Sequence, residues 1–523
     1  MALVAVACTP APSAGGATVR HTAYVTGGTL TELIASDPGN LDPLTTVTGI
    51  TRTLDGLAYD PLVNLEPDGN VVSGLATSWK QSGTTYTFTL RHGMTCSDGS
   101  TMSPATVAAN INFLGNPANR SPLITLFVPA GAKAVANTAS SRVTITLLKP
   151  FPFFLEDLTG VRLVCAKGLA RPSTLAEGTD GSGPYVLTRA VAGEQYTFTI
   201  RRGYTWGPAG ASTSAAGMPA KVVVKVVSDP TTAADLLLDG GANVASVQGL
   251  ASKPLRAAHL FNRSAALPLG ELWFNQGSGH ATADVAVREA IVRALDLPEV
   301  GKVFSQDQGS APTGLVTVAP KACPGNTVTG TIPSTNSRGA AALLQKAGWK
   351  LGKNGKNAVR TKDGKALELT LLYPTTVGGD PASAFELAAQ ELTQVGVGVK
   401  LVGDTVTELE SVIFGTGSWD VVDVPIGIDT PNEAVPFLSG PAPPDGENFA
   451  HISNPTYTSL ATKAAALPGT SACPDWNSAE KQLFKALDVV PFENAKEPVW
   501  GKGATFDFLA WGIPPTSLRL VKG

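Results

Sequence analysis

The sequence predicts an α/β protein with at least two lobes, on three observations. Two-residue alternation marks strands throughout the first half, helical periods appear between strands in the second half, and 523 residues exceed one domain at about 150 residues each. Thr85–Leu90, Arg142–Leu147 and Gln195–Ile200 alternate polar and apolar residues cleanly, as half-buried strands do. Lys221–Val227 is more continuously apolar and reads as a strand covered on both faces. Leu367–Leu371 alternates again. Helical stripes follow: Val287, Ile291 and Leu295 within 284–297, Phe385, Ala389 and Leu392 within 382–395, and Leu483 with Leu487 within 478–487. A helix over 336–349 closes on Gly348. Strands first and mixed elements later argue for neither a barrel nor a bundle.

Composition narrows the function. Hydrophobic residues at 43% supply cores, and charged residues at 15% are few. A net charge of −3 with no basic block excludes nucleic acid as the main partner. No apolar run approaches the roughly 18 residues of a spanning helix.

Met1–Cys8 reads as a short apolar stretch ending in Ala-Val-Ala-Cys, followed by a Pro/Ser/Gly/Ala tether. It resembles the end of a bacterial lipoprotein signal, which makes Cys8 the lipidated residue and 1–19 signal remnant and tether. Cys96, Cys165, Cys323 and Cys473 form an even remainder, as two disulfides of an exported protein require. Three pairings are open; proximity in the chain favours Cys96–Cys165 and Cys323–Cys473. The absence of C-x-x-C disfavours a zinc or redox motif.

Catalytic signals are missing. His21, His92, His259, His280 and His451 show no zinc-helix spacing, and neither a nucleophile elbow nor a phosphate loop occurs. Gly415-Thr-Gly417 lacks the third glycine of a dinucleotide turn. Neither an enzyme, a cofactor nor a metal is expected.

A succession of motifs is more specific. Leu41-Asp42-Pro43 precedes Leu75-Ala76-Thr-Ser78-Trp79, then Thr87-Phe88-Thr-Leu90-Arg91-His-Gly93 and Asp98-Gly99. Gly181-Ser-Gly183-Pro184-Tyr185 comes next, then Asp229-Pro230 and Leu236–Gly240. Phe274-Asn275 precedes Val287-Arg288-Glu-Ala290 and Ala294-Leu-Asp296, and later come Ala347-Gly348-Trp349 and Trp419-Asp420. Their shared order resembles the ABC-importer solute-binding proteins of family 5, which take oligopeptides, dipeptides and nickel complexes.

The resemblance implies a periplasmic-binding-protein-like fold, with two α/β lobes on a hinge and an extra lobe inserted in the first (the cluster C type). The implied divisions are 20–58 with 183–273 and 491–523 as lobe I, 59–182 as the inserted lobe, and 274–490 as lobe II. Neither proposed disulfide then crosses the hinge. The implied function is a lipid-anchored, monomeric receptor on the outer face of the cytoplasmic membrane, in a Gram-positive cell. It binds peptides or peptide-like ligands by hinge closure and serves a membrane permease. Two alternatives stand beside it: a receptor for a small cationic, arginine-like metabolite, and an accessory protein of envelope or secondary-metabolite biosynthesis.

In the family's peptide binders an aspartate at the position of Asp429 pairs with the peptide α-amino group; the alternative is a turn residue before Pro431. Enteric oligopeptide binders carry arginines for peptide carboxylates where this chain has Phe414 and Asp423. Asp423 is therefore a second candidate contact for a cation, with a strand-end or cap role equally open to it and to Asp420. Glu433 lies nearby in sequence. Thr46, Thr48, Gly49 and Asn275 complete the expected ligand contacts, while Trp273 fits a core aromatic better than a cleft wall. Backbone groups can still hold an extended peptide as an added strand.

Overall fold

A computed structural model describes residues 23–46, 48–124, 126–352, 358–375, 378–509 and 512–522. Cys8 and the segment 1–19 lie outside the described residues. The main sheet has ten strands, in the order Gly398–Asp404, Glu368–Pro374, Val421–Asp423, Phe261–Phe274, Val489–Gly501, Val244–Ser246, Thr29–Ile34, Lys221–Val226, Gln195–Ile200 and Tyr185–Val191. Each half of the sheet carries a parallel unit. Thr29–Ile34 runs parallel to Lys221–Val226 and Val244–Ser246, and Glu368–Pro374 runs parallel to Gly398–Asp404 and Val421–Asp423. Helices Pro230–Asp239 and Pro381–Gln394 make the crossovers, each started by an aspartate cap (Asp229 and Asp380) with proline in the first turn.

The two halves meet in the long antiparallel pair Phe261–Phe274 and Val489–Gly501. The pair shifts register at Pro268–Gly270 and again at Gly270–Glu271. A Cβ on Gly270 would stand 2.3 Å from the Phe492 ring, so only glycine lets the strands approach there. This irregularity lies between the two parallel units.

A separate four-stranded antiparallel sheet orders Ala76–Ser82, Thr85–Leu90, Arg142–Thr146 and Lys133–Asn137. Its core is continuous with that of the first half: Phe88, Val143 and Ile145 belong to one cluster with Leu30, Val222 and Phe198. The second half has two clusters, one around Phe304, Phe385 and Leu392 and one around Trp273, Trp419 and Trp476. The cysteines pair as proximity suggested. Cys96–Cys165 has its Cα atoms 6.2 Å apart and Cys323–Cys473 5.1 Å apart.

Two elements differ from their sequence reading. Lys221–Val226 is buried on one face only: Val222 and Val224 are inaccessible, while Lys221 and Lys225 on the other face are exposed. The helix expected over 284–297 ends at Ala294, because Leu295 turns extended and Asp296 caps a second helix, Leu297–Ser305, with Pro298 in its first turn.

Candidate functional site

The site builds outward from two buried acids on neighbouring central strands of the main sheet. Asp423 ends Val421–Asp423, and its Oδ1 accepts from the backbone N–H of Glu271 on the paired long strand at 2.8 Å. Glu271 in turn accepts from the N–H of Ile426 through Oε2 at 3.0 Å. The Ile428 carbonyl accepts from the N–H groups of Thr317 and Val318. The segment leading to Asp429 is thus held on both sides by backbone bonds. Burial pushes the carboxyls of Asp423 and Glu271 well above the usual range, which disfavours their charged forms.

Asp429 faces residues from the other half. The stretch Pro150–Asp157 crosses from the four-stranded region: Phe153, fully inaccessible, joins the cluster of Trp273 and Trp476, and the Pro152 carbonyl accepts from Gly469 N–H at 2.6 Å. That docking sets Asp157 beside Asp429 and Glu433, with one oxygen of each within 4.8 Å of the others. Asp157 is 4% exposed, and its Oδ2 has no partner among the described residues, as is true of Glu433 Oε1. Glu433 Oε2 accepts from the Asp429 N–H at 3.2 Å.

Electrostatics follow from the crowding. Burial and then Asp429 push the Glu433 carboxyl up to about 8, and burial with Glu433, Asp429 and Glu156 pushes Asp157 well up. Arg52, on the helix Gly49–Ala58 of the first half, supplies positive charge at the junction. Its charge and that of Asp429 act on each other, although burial and Arg162 lower its guanidinium to about 10. Arg52 Nη2 donates to the Gly160 carbonyl at 3.0 Å, and the guanidinium lies 4.8 Å from the Phe127 ring centroid. Arg52 also lines a small cleft of about 80 Å³ with Arg162, Thr159, Asn64, Tyr204 and Thr516.

The expected contacts divide. Asp429 stands in the inter-lobe cluster with Glu433. Asp423 does not, since it is inaccessible and bound to the strand beside it. Asn275 is likewise spent on backbone, donating to the Gly417 and Trp419 carbonyls and accepting from Gly277 N–H. Asp420 holds His280 Nδ1 at 2.9 Å and accepts from Thr370 N–H, a strand-end role. Trp273 is a core aromatic whose indole donates to the Val424 carbonyl. Thr46, Thr48 and Gly49 lie at the start of the Arg52 helix; Thr48 is its N-cap residue and donates to Thr51 Oγ1. Phe414 is partly exposed and packs edge-on against Phe449.

Sequence reasoning missed Asp157, Arg52 and Arg162. Arg52 lies opposite the Leu54–Leu57 stripe of its helix, where an arginine reads as solvent-facing, yet it is buried. Asp157 had no signal, because its place depends on Phe153 docking across the lobes. An all-carboxylate set with hydrogen-bond acceptors left over suits ammonium, guanidinium or a hard cation better than nickel, which prefers nitrogen and sulfur donors.

Comparison with known proteins agrees with this architecture. The family model for bacterial extracellular solute-binding proteins, family 5 middle, matches residues 70–438. The nickel-binding periplasmic protein of Escherichia coli is 27% identical over 71% of this chain and 71% of its own. The periplasmic murein peptide-binding protein MppA of the same species is 25% identical over 88% of this chain and 86% of its own. The ABC transporter substrate-binding protein CtaP of Listeria monocytogenes superposes with a TM-score of 0.78 at 18% identity, covering 95% of this chain and 100% of that one. Among the described residues no helix is long and apolar enough to cross a membrane. The chain therefore belongs to the family 5 bacterial extracellular solute-binding proteins, and is an extracytoplasmic binding protein of an ABC importer rather than an enzyme.

Proposed function

We propose that this protein is a monomeric receptor for peptides or peptide-like ligands with a free amino group, tethered through a lipid on Cys8 to the outer face of the cytoplasmic membrane of a Gram-positive cell. Asp429 accepts the ligand ammonium. Residues 20–58, 183–273 and 491–523 act as one lobe, 59–182 as its insert and 274–490 as the other lobe. They close about the irregular long-strand pair, and Thr46, Thr48 and Gly49 form the first lobe's lip. The supporting observation is the cluster itself: Asp157 comes from the insert, Asp429 and Glu433 from the opposite lobe, and closure gathers acceptors that only a donor-rich cation satisfies.

The same cluster favours a second reading. Burial and mutual repulsion push Glu433 and Asp157 upward, and a dicationic, arginine-like ligand would favour their ionisation more than a single ammonium does. Calorimetry with matched basic, neutral and N-acetylated peptides tests both. Free-amine peptides bind and acetylated ones do not; a further gain for arginine-containing peptides favours the dicationic reading. Equal affinity for free and acetylated forms removes Asp429 from the site.

A further inference from the structure

We propose that the Cys323–Cys473 disulfide is a positioning bond for Asp429: it clamps the irregular strap 306–336 that holds the Asp429 backbone, and opening it weakens binding of a ligand ammonium without unfolding the protein. The ligand half of this statement rests on the proposed function; the strap half does not.

The strap joins helix Leu297–Ser305 to helix Ser337–Lys346. Among the described residues it contains neither helix nor strand, only the isolated bridges of Ser310 to Asn494 and Val316 to Ile428. It is nevertheless the element behind the site. Thr317 and Val318 donate to the Ile428 carbonyl at 3.2 and 3.0 Å, and Ala322 donates to the Asp429 carbonyl at 3.0 Å. The main sheet holds the same segment at Ile426, whose N–H donates to Glu271 Oε2. The Asp429 N–H goes to Glu433, four residues on. The strap thus supplies the hold on the Asp429 carbonyl.

The strap is itself tied to helix Cys473–Ala486. Glu480 Oε1 accepts from the Leu315 N–H at 2.9 Å, and Glu480 Oε2 accepts from the Thr327 hydroxyl. Cys323 lies between those two points, directly after Ala322, and is bonded to Cys473 at the start of the helix. Cys473 Sγ stands 3.3 Å from the Ala322 carbonyl oxygen. The disulfide therefore fixes the residue that bonds Asp429. An irregular segment takes its order from tertiary ties rather than from a repeating backbone ladder, so losing a tie loosens what the segment holds. A carboxylate serves a buried ammonium only at hydrogen-bond distance, and a shift of about an ångström is felt as lost affinity. Cys96–Cys165 lies elsewhere, in the core cluster of Phe88 and Val143.

The test compares the full chain with the double variant Cys323→Ala, Cys473→Ala and, as control, Cys96→Ala, Cys165→Ala, using trialanine in free and N-acetylated forms. The wild type should prefer the free form. That preference should fall about tenfold when Cys323–Cys473 is removed and persist in the control. An unchanged preference, or an equal fall in the control, overturns the proposal. Hydrogen exchange without ligand reads the strap directly. Removing the bridge should speed exchange of the Thr317, Val318 and Ala322 amides about tenfold or more and leave the Ile426 amide as in the wild type. If the alanine pair fails to fold, the wild type treated with dithiothreitol, and again after reoxidation, gives the same readout. Faster exchange at the three amides, reversed on reoxidation, supports the strap; uniform loss of protection, or no change, overturns it. Equal binding of both trialanines by the wild type overturns the Asp429 reading and leaves the strap to the exchange result, which also decides if neither form binds.

Discussion

Asp423 and Asp429 stand six residues apart on one segment and occupy opposite situations. Asp423 is inaccessible and spends one oxygen on the Glu271 N–H. Asp429 lies at the junction, beside two carboxylates of which one comes from the insert. The first acid takes its backbone donor from the strand paired with its own; the second stands beside a carboxylate brought from the stretch that follows the four-stranded sheet. Among the described residues, oxygens without a partner occur at both places, on Asp423 and Glu271 as on Asp157 and Glu433, so the difference lies in where the neighbouring acids come from.

The sharpest break of this comparison is Asp429→Asn. An ammonium left buried opposite a neutral amide loses about 3–5 kcal/mol of binding. Calorimetry should show that loss for every free-amine ligand and none for its acetylated counterpart. Fold stability should stay near wild type, since the Asp429 backbone, through its carbonyl to Ala322 N–H, is kept.

Asp423 should give the reverse pattern. Asp423→Ala leaves the Glu271 N–H buried and unmatched, which costs about 1–3 kcal/mol of unfolding free energy. Asp423→Asn keeps an acceptor and replaces a carboxyl that burial pushes upward, so it should cost less. Urea denaturation separates the two. The preference for free over acetylated peptide should survive both substitutions, and its loss in Asp423→Asn would return Asp423 to the ligand site.

Much of the frame was legible because its causes are local. Thr85–Leu90 and Gln195–Ile200 have the bounds their alternation indicates, and Asp380 with Pro381 marks a helix start that sequence alone places within a residue. The cysteine pairs were reachable because each closes within one region. The ten-stranded sheet was not legible, since its middle pairs segments more than two hundred residues apart. The junction was hidden for the same reason. Asp157 follows an apolar Phe-Pro-Phe-Phe run that reads as local core, yet Phe153 packs into the other lobe. Asp423 and Asp429 both sit near strand-end and turn positions, and the difference between them, the Glu271 N–H, lies 152 residues away.

The smallest effect concerns pH. An acid raised from 4.5 to about 8 when the junction closes, as Glu433 is, binds more protons closed than open or unfolded between those values. The stabilisation from closure is therefore fully present below about pH 4.5 and is lost as pH rises through about 8. Parting of the lobes relieves the repulsion before the fold does, so the melting free energy should fall by only on the order of 1 kcal/mol between pH 5 and 8. Scattering should show the ligand-free particle expanding over the same interval. Glu433→Gln should flatten both trends, because the amide cannot ionise beside Asp157 and Asp429. A cationic ligand should reverse the sign, favouring the ionised cluster and releasing protons on binding near pH 6, which calorimetry in buffers of different ionisation enthalpy measures. A wild-type profile as flat as that of Glu433→Gln would mean that the three carboxylates do not gather in the empty protein, and that the ligand, rather than Phe153 docking, brings Asp157 to Asp429.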